Sequence, residues 1–412
     1  MSTSNINVMV LWHAAPVPFA PPKLHPQQWT GYLTEHASLL DPQQDPRGFL
    51  IPRGEFDLAE VLNQQGIPLP DWLFVCVDAT TPFFARNLGN AAKRRLLCLG
   101  DTHHLPTPLT RLLPYAGAEP WDGLIFTNNV RHAHWFSQVT GAPQFFEPAI
   151  FALELDSNPT HSEDLKQPVF YGQMGTFHPR RQRLMSPLLE QGMVHHIFGS
   201  THELAAQMSQ SAACVNVTLN SDLNSRVFEI AQTGCLQLID KLGIHNGMGS
   251  VLIPGHNCLA FNDSDELREL VLDLPLLKSL TPLLGNNLRQ EWRSHWGIHA
   301  IRERLAQGIQ SDTMQFLKAP KSIRDQTSHT TPALNWRLHV YENFLELHRQ
   351  NEQMDILIES AHRECYAQDL DDLPRMHVVD RDTILKPSST PKFFIRDKEN
   401  GEPELLAINS PD

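Results

Sequence analysis

The stretch LNSDLNSRVFEIAQTGCLQLID, Leu219 to Asp240, decides the fold. An apolar run, Cys214-Val215-Asn216-Val217, enters it, and a second, Leu236-Gln237-Leu238-Ile239, closes it. Between them lie a polar turn and a short helical segment, Ser225 to Gln232, ended by Gly234. The pattern is strand, loop, helix, strand, with Asn224 or Ser225 expected to cap the helix and Gly234 to stop it. In open α/β sheets, ligands bind in the crevice beyond the strand carboxyl ends. The loop and first helical turn put Asn224, Arg226 and Glu229 there. Arg226 and Glu229 stand three residues apart and share one helix face. A cation beside a carboxylate suits a ligand that carries both phosphate and hydroxyl groups. The competing reading is an ordinary surface ion pair.

Outward from this unit the same alternation repeats on both sides. Towards the N-terminus, apolar strands are expected at Asn7–Trp12, Trp72–Val77, Arg95–Leu99 and Gly123–Phe126. The connections are a Pro-rich loop (Pro16 to Pro26), a helix near Asp57–Gln65, a helix or its approach over Thr81–Ala92, and a helix near Arg131–Val139. A polar, proline-punctuated linker at 156–168 separates a second series. Its strands are expected at Val169–Tyr171, His196–Phe198, Cys214–Val217, Leu236–Ile239 and Val251–Ile253. Its helices fall near Arg181–Gln191, His202–Ser209, Ser225–Gln232 and Asp265–Leu272, the last opened by a capping pattern at Asn262–Glu266. Such alternation implies mostly parallel, doubly wound sheets. Asn287 to Gln307 reads as one continuous helix, and Leu334, Leu338, Tyr341 and Leu345 form a helical apolar stripe. Beyond Leu373 no periodicity is visible, and 373–412 reads as a loosely attached tail.

With 412 residues, 41% of them hydrophobic, the chain buries a large core and is expected to form two domains. A formal charge of −13 argues against a nucleic-acid partner, which needs a basic face. No apolar run reaches the roughly 20 residues that span a bilayer. The polar start, Met-Ser-Thr-Ser-Asn, which runs straight into an apolar strand, reads as lacking a secretory signal. The six cysteines form no C-x-x-C pair and several lie in strand runs, which reads as reduced core thiols in a cytoplasmic protein.

The run N-S-R-V-F-E-I-A-Q-T-G-C-L-Q-L-I-D resembles the signature of the spore-maturation-protein-like glycosyltransferases, which have the GT-B fold. The resemblance continues in Val251 to Leu267, an apolar-x-x-G … D-x-x-E-L segment. It reaches back to Phe170-Tyr-Gly-Gln-Met-Gly175 with His178-Pro-Arg-Arg181, and covers about 110 residues well. It implies two Rossmann-like domains facing a cleft: 1–155 for the acceptor and 169–315 for a nucleotide-sugar donor. C-terminal helices at 330–372 would return to the first domain. It further implies sugar transfer to an unidentified acceptor, with the nucleotide sugar as co-substrate and no metal or other cofactor. The alternative is a degenerate module of this fold that binds nucleotide, glycan or protein without turnover.

Breaking a sugar–diphosphate bond leaves an oxocarbenium-like carbon and an anionic leaving group. Without a metal, the anion must be met by Arg, Lys and helix amino ends. Gly172 and Gly175, in a strand-exit turn ahead of a helix, let the backbone approach phosphates. Gly-x-x-Gly also occurs as a plain strand-exit turn. Of Arg180, Arg181 and Arg183 in the helix that follows, Arg181 best matches the family. By resemblance Glu229 accepts from the ribose hydroxyls, because one carboxylate can receive two vicinal donors. The same resemblance implies that Arg226 sits near the diphosphate or sugar, and that Asn224 contacts the sugar or, more economically, caps the helix. Many retaining relatives carry a Glu-x7-Glu pair here, whereas this chain has Ser221 beside Asp222. Should the reaction invert, a base from the first domain is required. His13, after the first strand, and Asp101 with His103 and His104, after the third, are the candidates. A zinc site from Asp101, His103 and His132 or His134 fits no standard spacing. His195-His196 reads as the start of a strand, one ring inward and one outward.

Overall fold

A computed structural model describes residues 6–12, 31–34, 48–78, 81–102, 108–127, 136, 139–150, 152, 154–155, 164–174, 179–218, 223–240 and 251–313, and three later strands. The first part contains β1 (Val8–Trp12), β2 (Gly31–Thr34), β3 (Gly48–Leu50), β4 (Gly54–Asp57) and helix α1 (Leu58–Gln64). Then come β5 (Trp72–Val77), β6 (Phe83–Arg86), α2 (Leu88–Ala91), β7 (Arg94–Leu99), α3 (Pro108–Ala118), β8 (Gly123–Phe126) and β9 (Gln144–Phe146). The segment Thr81–Ala92, expected to be helical, is instead strand β6 and one turn of helix. Phe83 and Ala85 face inward at strand spacing and β6 pairs with β4.

Seven strands form one sheet in the order β3-β2-β1-β5-β7-β8-β9, every described pairing parallel. All six residues of β5, WLFVCV, are buried, as a strand covered on both faces requires. Chain order runs outward from β1 in one direction and from β5 in the other. The sheet therefore has its switch point between those two strands.

The second series contains β10 (Val169–Phe170), α4 (Pro179–Glu190), β11 (His195–His196), α5 (Thr201–Ser209), β12 (Cys214–Asn216), α6 (Arg226–Thr233), β13 (Gln237–Asp240), β14 (Leu259–Phe261) and α7 (Ser264–Leu272). Its parallel sheet has the order β11-β10-β12-β13-β14, with the switch point between β10 and β12. The fifth strand is Leu259–Phe261, not the expected Val251–Ile253. Asn257 gathers that earlier segment into a turn, donating to Val251 O (2.9 Å) while its Oδ1 accepts from Ile253 N (2.7 Å). The expected cap of α7 is present: Asp263 accepts from the amides of Asp265 and Glu266.

The helix expected from Asn287 to Gln307 is broken. After α8 (Leu274–Leu280) comes a π-helical turn, Thr281–Gly285, then α9 (Asn286–Glu291), a second π-helical turn, Trp292–Trp296, and α10 (Ile298–Gln310). Gly297 lies between them in extended conformation (φ −69°, ψ 157°), which no helix continues through. The break redirects α10 onto the first sheet's core, where Ile301, Leu305 and Ile309 are buried. Arg304 pairs with Glu147 (2.7 Å), which follows β9, and Arg94 pairs with Asp312 (2.9 Å). Ile298 N also donates to Glu154 (3.2 Å).

Three described strands lie within 373–412, the span read as a loosely attached tail. β15 (Met376–Val378), β16 (Lys392–Asp397) and β17 (Pro403–Ile408) form an antiparallel sheet with β17 in the middle. In register, Phe394 pairs with Leu406 and Ile395 with Leu405. The helices expected at 330–372 lie outside the described residues.

Candidate functional site

Side chains from four elements converge at the switch point of the second sheet. The decisive element is α6, the helix of the opening motif, in which every residue from Val227 to Thr233 is buried. Val227, Phe228 and Ala231 belong to the core that covers the first sheet, whereas Ile230 packs with Val169, Cys214 and Cys235. Phe228 also meets Trp292 (5.9 Å) and Trp296 (6.2 Å). Gly234 ends the helix in left-handed conformation (φ 71°), as expected. Capping differs from expectation. Ser225 is the cap residue but has helical geometry and no side-chain cap bond. Asn224 is instead paired with Asn216 through two amide hydrogen bonds of 3.1 and 3.2 Å. That pair ties the end of β12 to the start of α6, across the loop they bracket. A second clamp lies one strand over: Thr218 donates from its amide (2.8 Å) and hydroxyl (2.7 Å) to the fully buried carboxylate of Asp240.

Glu229 is only 3% exposed, so it is no solvated surface partner of Arg226. Its charge is felt by its neighbours. Burial, reinforced by Glu229 and opposed by Arg226, pushes the Tyr171 hydroxyl up to about 12. Cys214 is likewise driven up to about 12, chiefly by burial, again with Arg226 opposing and Glu229 adding. Tyr171 therefore keeps its proton near neutrality.

The turn after β10 is held by basic side chains. Arg226 donates from Nη1 to Tyr171 O (3.3 Å), the ring Nε2 of His196 meets Gly172 O (2.8 Å), and Arg181 donates to Gln173 O (3.0 Å). A second Arg181 nitrogen reaches Val217 O (3.1 Å), at the exit of β12. Arg181 is 3% exposed and braces the two strand exits flanking the switch point. Gly172 is where the guanidinium of Arg226 passes closest: a Cβ there would lie 2.2 Å from its Nη1. Only a residue without a side chain permits that approach.

Of the donor-side residues singled out in the sequence, Gly172, Arg181, Asn224, Arg226 and Glu229 are thus brought to one place. Arg180 lies in the first turn of α4, and Gly175 lies outside the described residues. On the first sheet, Asp101 follows β7, one strand from the switch point, next to buried Thr102. His13, His103, His104, His132 and His134 lie outside the described residues. Sequence reasoning missed Tyr171 and Asn216, whose roles appear only once β10, β12 and α6 are packed together. It placed His196 at a strand but saw no role for it. The reading of one ring inward and one outward is met by a half-buried His196 and an exposed His195.

Residues 180–304 match the family model described as glycosyl transferase-like. Among solved structures, sucrose-phosphate synthase from Thermosynechococcus elongatus is similar over 73% of this chain and 98% of that one, at 13% identity and a TM-score of 0.51. The N-terminal domain of Candida albicans trehalose-6-phosphate phosphatase is similar over 76% and 97%, at 10% identity and a TM-score of 0.48. The catalytic domain of Arabidopsis thaliana Starch Synthase IV covers 61% and 75%, at 10% identity and 0.39. No curated protein matches the chain. The likeness to the synthase shows a shared fold, GT-B, as the sequence resemblance implied. No helix among the described residues is long and apolar enough to cross a membrane.

Proposed function

We propose that this chain, a glycosyltransferase of the GT-B fold, takes a nucleotide sugar at the switch point of its second sheet and passes the sugar to an acceptor held by the first. The observation that supports the reading is the reach of Arg226 to Tyr171 O, in the turn that holds Gly172, from the same buried helix that carries Glu229. Glu229 accepts from the ribose hydroxyls. Arg226 and the amino end of α6 neutralise the diphosphate as the glycosidic bond breaks, so the transfer needs no metal or other cofactor. Gly172 and Gly175 let the backbone near the phosphates, with Arg180 at the start of α4 adding charge. Arg181 acts by holding the turn, and Asn224 by holding the loop before α6. On this reading residues 1–155 form the acceptor domain and 169–315 the donor domain. Asp101, with His13 and His103, supplies the base if the configuration inverts. The motif at Asn224, Arg226, Phe228 and Glu229 supports membership of the spore-maturation-protein-like group.

The test is a thermal-shift screen of nucleoside diphosphates and nucleotide sugars, followed by calorimetry on Glu229→Ala. A ligand that binds only the folded chain raises its melting temperature. The expected result is a shift with one nucleotide class, lost in the variant. No shift with any nucleotide, or unchanged affinity in Glu229→Ala, overturns the assignment.

A further inference from the structure

We infer that His196 is a positioning residue for the diphosphate: its ring holds the Gly172 carbonyl and so orients the peptide amides of the turn that receives the leaving group. This rests on the donor site proposed above and adds a residue from outside its motifs. The geometry lies in three consecutive peptides. The carbonyls of Tyr171, Gly172 and Gln173 are engaged in turn by Arg226 from α6, His196 from β11 and Arg181 from α4. A trans peptide is planar and directs its N–H opposite to its C=O. Fixing three carbonyls therefore fixes the directions of the three amides that follow, those of Gly172, Gln173 and Met174. Successive backbone amides with set directions are what an anion-binding concavity is made of.

Of the three holding groups, His196 makes the shortest contact. Its strand pairs in register with β10, Phe170 opposite His196. Its ring stands 5.1 Å from that of Phe170 and 3.9 Å from that of Phe198. A carbonyl offers only acceptor lone pairs, so the contact at 2.8 Å requires the proton on Nε2. The neutral Nε2–H tautomer and the imidazolium both supply it. The amide of Gln173, opposite the carbonyl that His196 holds, points away from the ring. Without the ring, the Gly172 carbonyl loses this hydrogen bond while the carbonyls of Tyr171 and Gln173 keep theirs. The peptide is then less firmly directed at the moment the diphosphate needs its amide aligned.

The test compares His196→Phe, which keeps a ring between Phe170 and Phe198 but removes the donor, with His196→Gln, whose side-chain amide can donate to the same carbonyl. Calorimetry on the full chain measures UDP, GDP, ADP and dTDP, and the matching nucleoside of whichever binds. We expect His196→Phe to weaken the diphosphate about tenfold with nucleoside affinity unchanged, and His196→Gln to stay within about threefold of the parent. Parent-like diphosphate affinity in His196→Phe overturns the inference. Equal losses for nucleoside and diphosphate also overturn it, since they mark general damage rather than amide alignment. If His196→Phe does not fold, His196→Gln decides: a diphosphate-specific loss beyond tenfold despite a parent-like melting temperature refutes the donor role. A parent that binds none of the four diphosphates fails the donor site itself, an outcome distinct from a variant effect that is absent or unspecific.

Discussion

Replacing Gly172 by alanine separates the position of Arg226 from the stability of the fold. The new Cβ would lie 2.2 Å from Arg226 Nη1, 3.3 Å from its Cζ and 3.0 Å from the ring edge of Phe170. Carbon and nitrogen sit comfortably at about 3.5 Å, so the guanidinium must retreat by roughly 1.3 Å. Its bond to Tyr171 O is already 3.3 Å long and does not survive that movement. A hydrogen bond to a charged group contributes about 1.5–3 kcal/mol, and the long geometry places this one near the lower figure. Losing it lowers stability by about 1.5 kcal/mol and no more, because the atom displaced is the far end of a flexible side chain. On the donor-site reading, a guanidinium moved from the diphosphate costs a charge-assisted bond of similar size, about tenfold in affinity. Nor does the backbone oppose alanine, since Gly172 is not among the glycines of positive φ. Calorimetric titration with a nucleoside diphosphate, beside urea unfolding of the same preparations, reads both quantities. Unchanged affinity would remove Arg226 from the donor site, and a large drop in stability would show that the clash falls on the backbone instead.

Two further outcomes follow from backbone contact and from burial. Gly285→Ala puts a Cβ 2.0 Å from Gly234 O, backbone against backbone at the end of α6, where no side chain can swing away. A loss of at least about 3 kcal/mol in urea unfolding is expected, and a parent-like midpoint would refute the packing of the π-helical turn on that helix. Tyr171, Cys214 and Cys258 are each pushed up to about 12, from ordinary values of 10, 9 and 9. A raised folded value favours the protonated form, so this stability is complete below pH 9 and is lost as pH climbs towards 12. The melting temperature should hold from pH 7 to 9 and then fall, with Cys76, Cys98, Cys214, Cys235 and Cys258 unlabelled by iodoacetamide in the native protein at pH 8. Rapid native labelling of any of the five would contradict the burial described.

Apolar runs bounded by turns made the strands readable. Gly123–Phe126 and Trp72–Val77 coincide with their expected limits, because strands buried on both faces must be continuously apolar. Elements whose identity depends on a partner were misread. Phe83–Arg86 is a strand because β4 lies beside it, and Leu259–Phe261 takes the sheet edge expected of Val251–Ile253. Asn224 looked like a cap in one dimension and proved to be one half of an amide pair. Lys392–Asp397 and Pro403–Ile408 pair as antiparallel strands, a pairing no local period announces.

By itself, the sequence determined the class of fold and the helix, Arg226 to Thr233, that carries a cation and a carboxylate three residues apart. Those are local properties, set by periodicity, a closing glycine and side-chain chemistry within one turn. Only the tertiary structure decided that strand order reverses between β10 and β12, that Arg181 is a brace, and that Arg226, His196 and Arg181 hold three successive carbonyls. These groups are separated by up to 55 positions along the chain. Packing alone brings them within hydrogen-bonding distance, and no pattern of neighbouring residues encodes it.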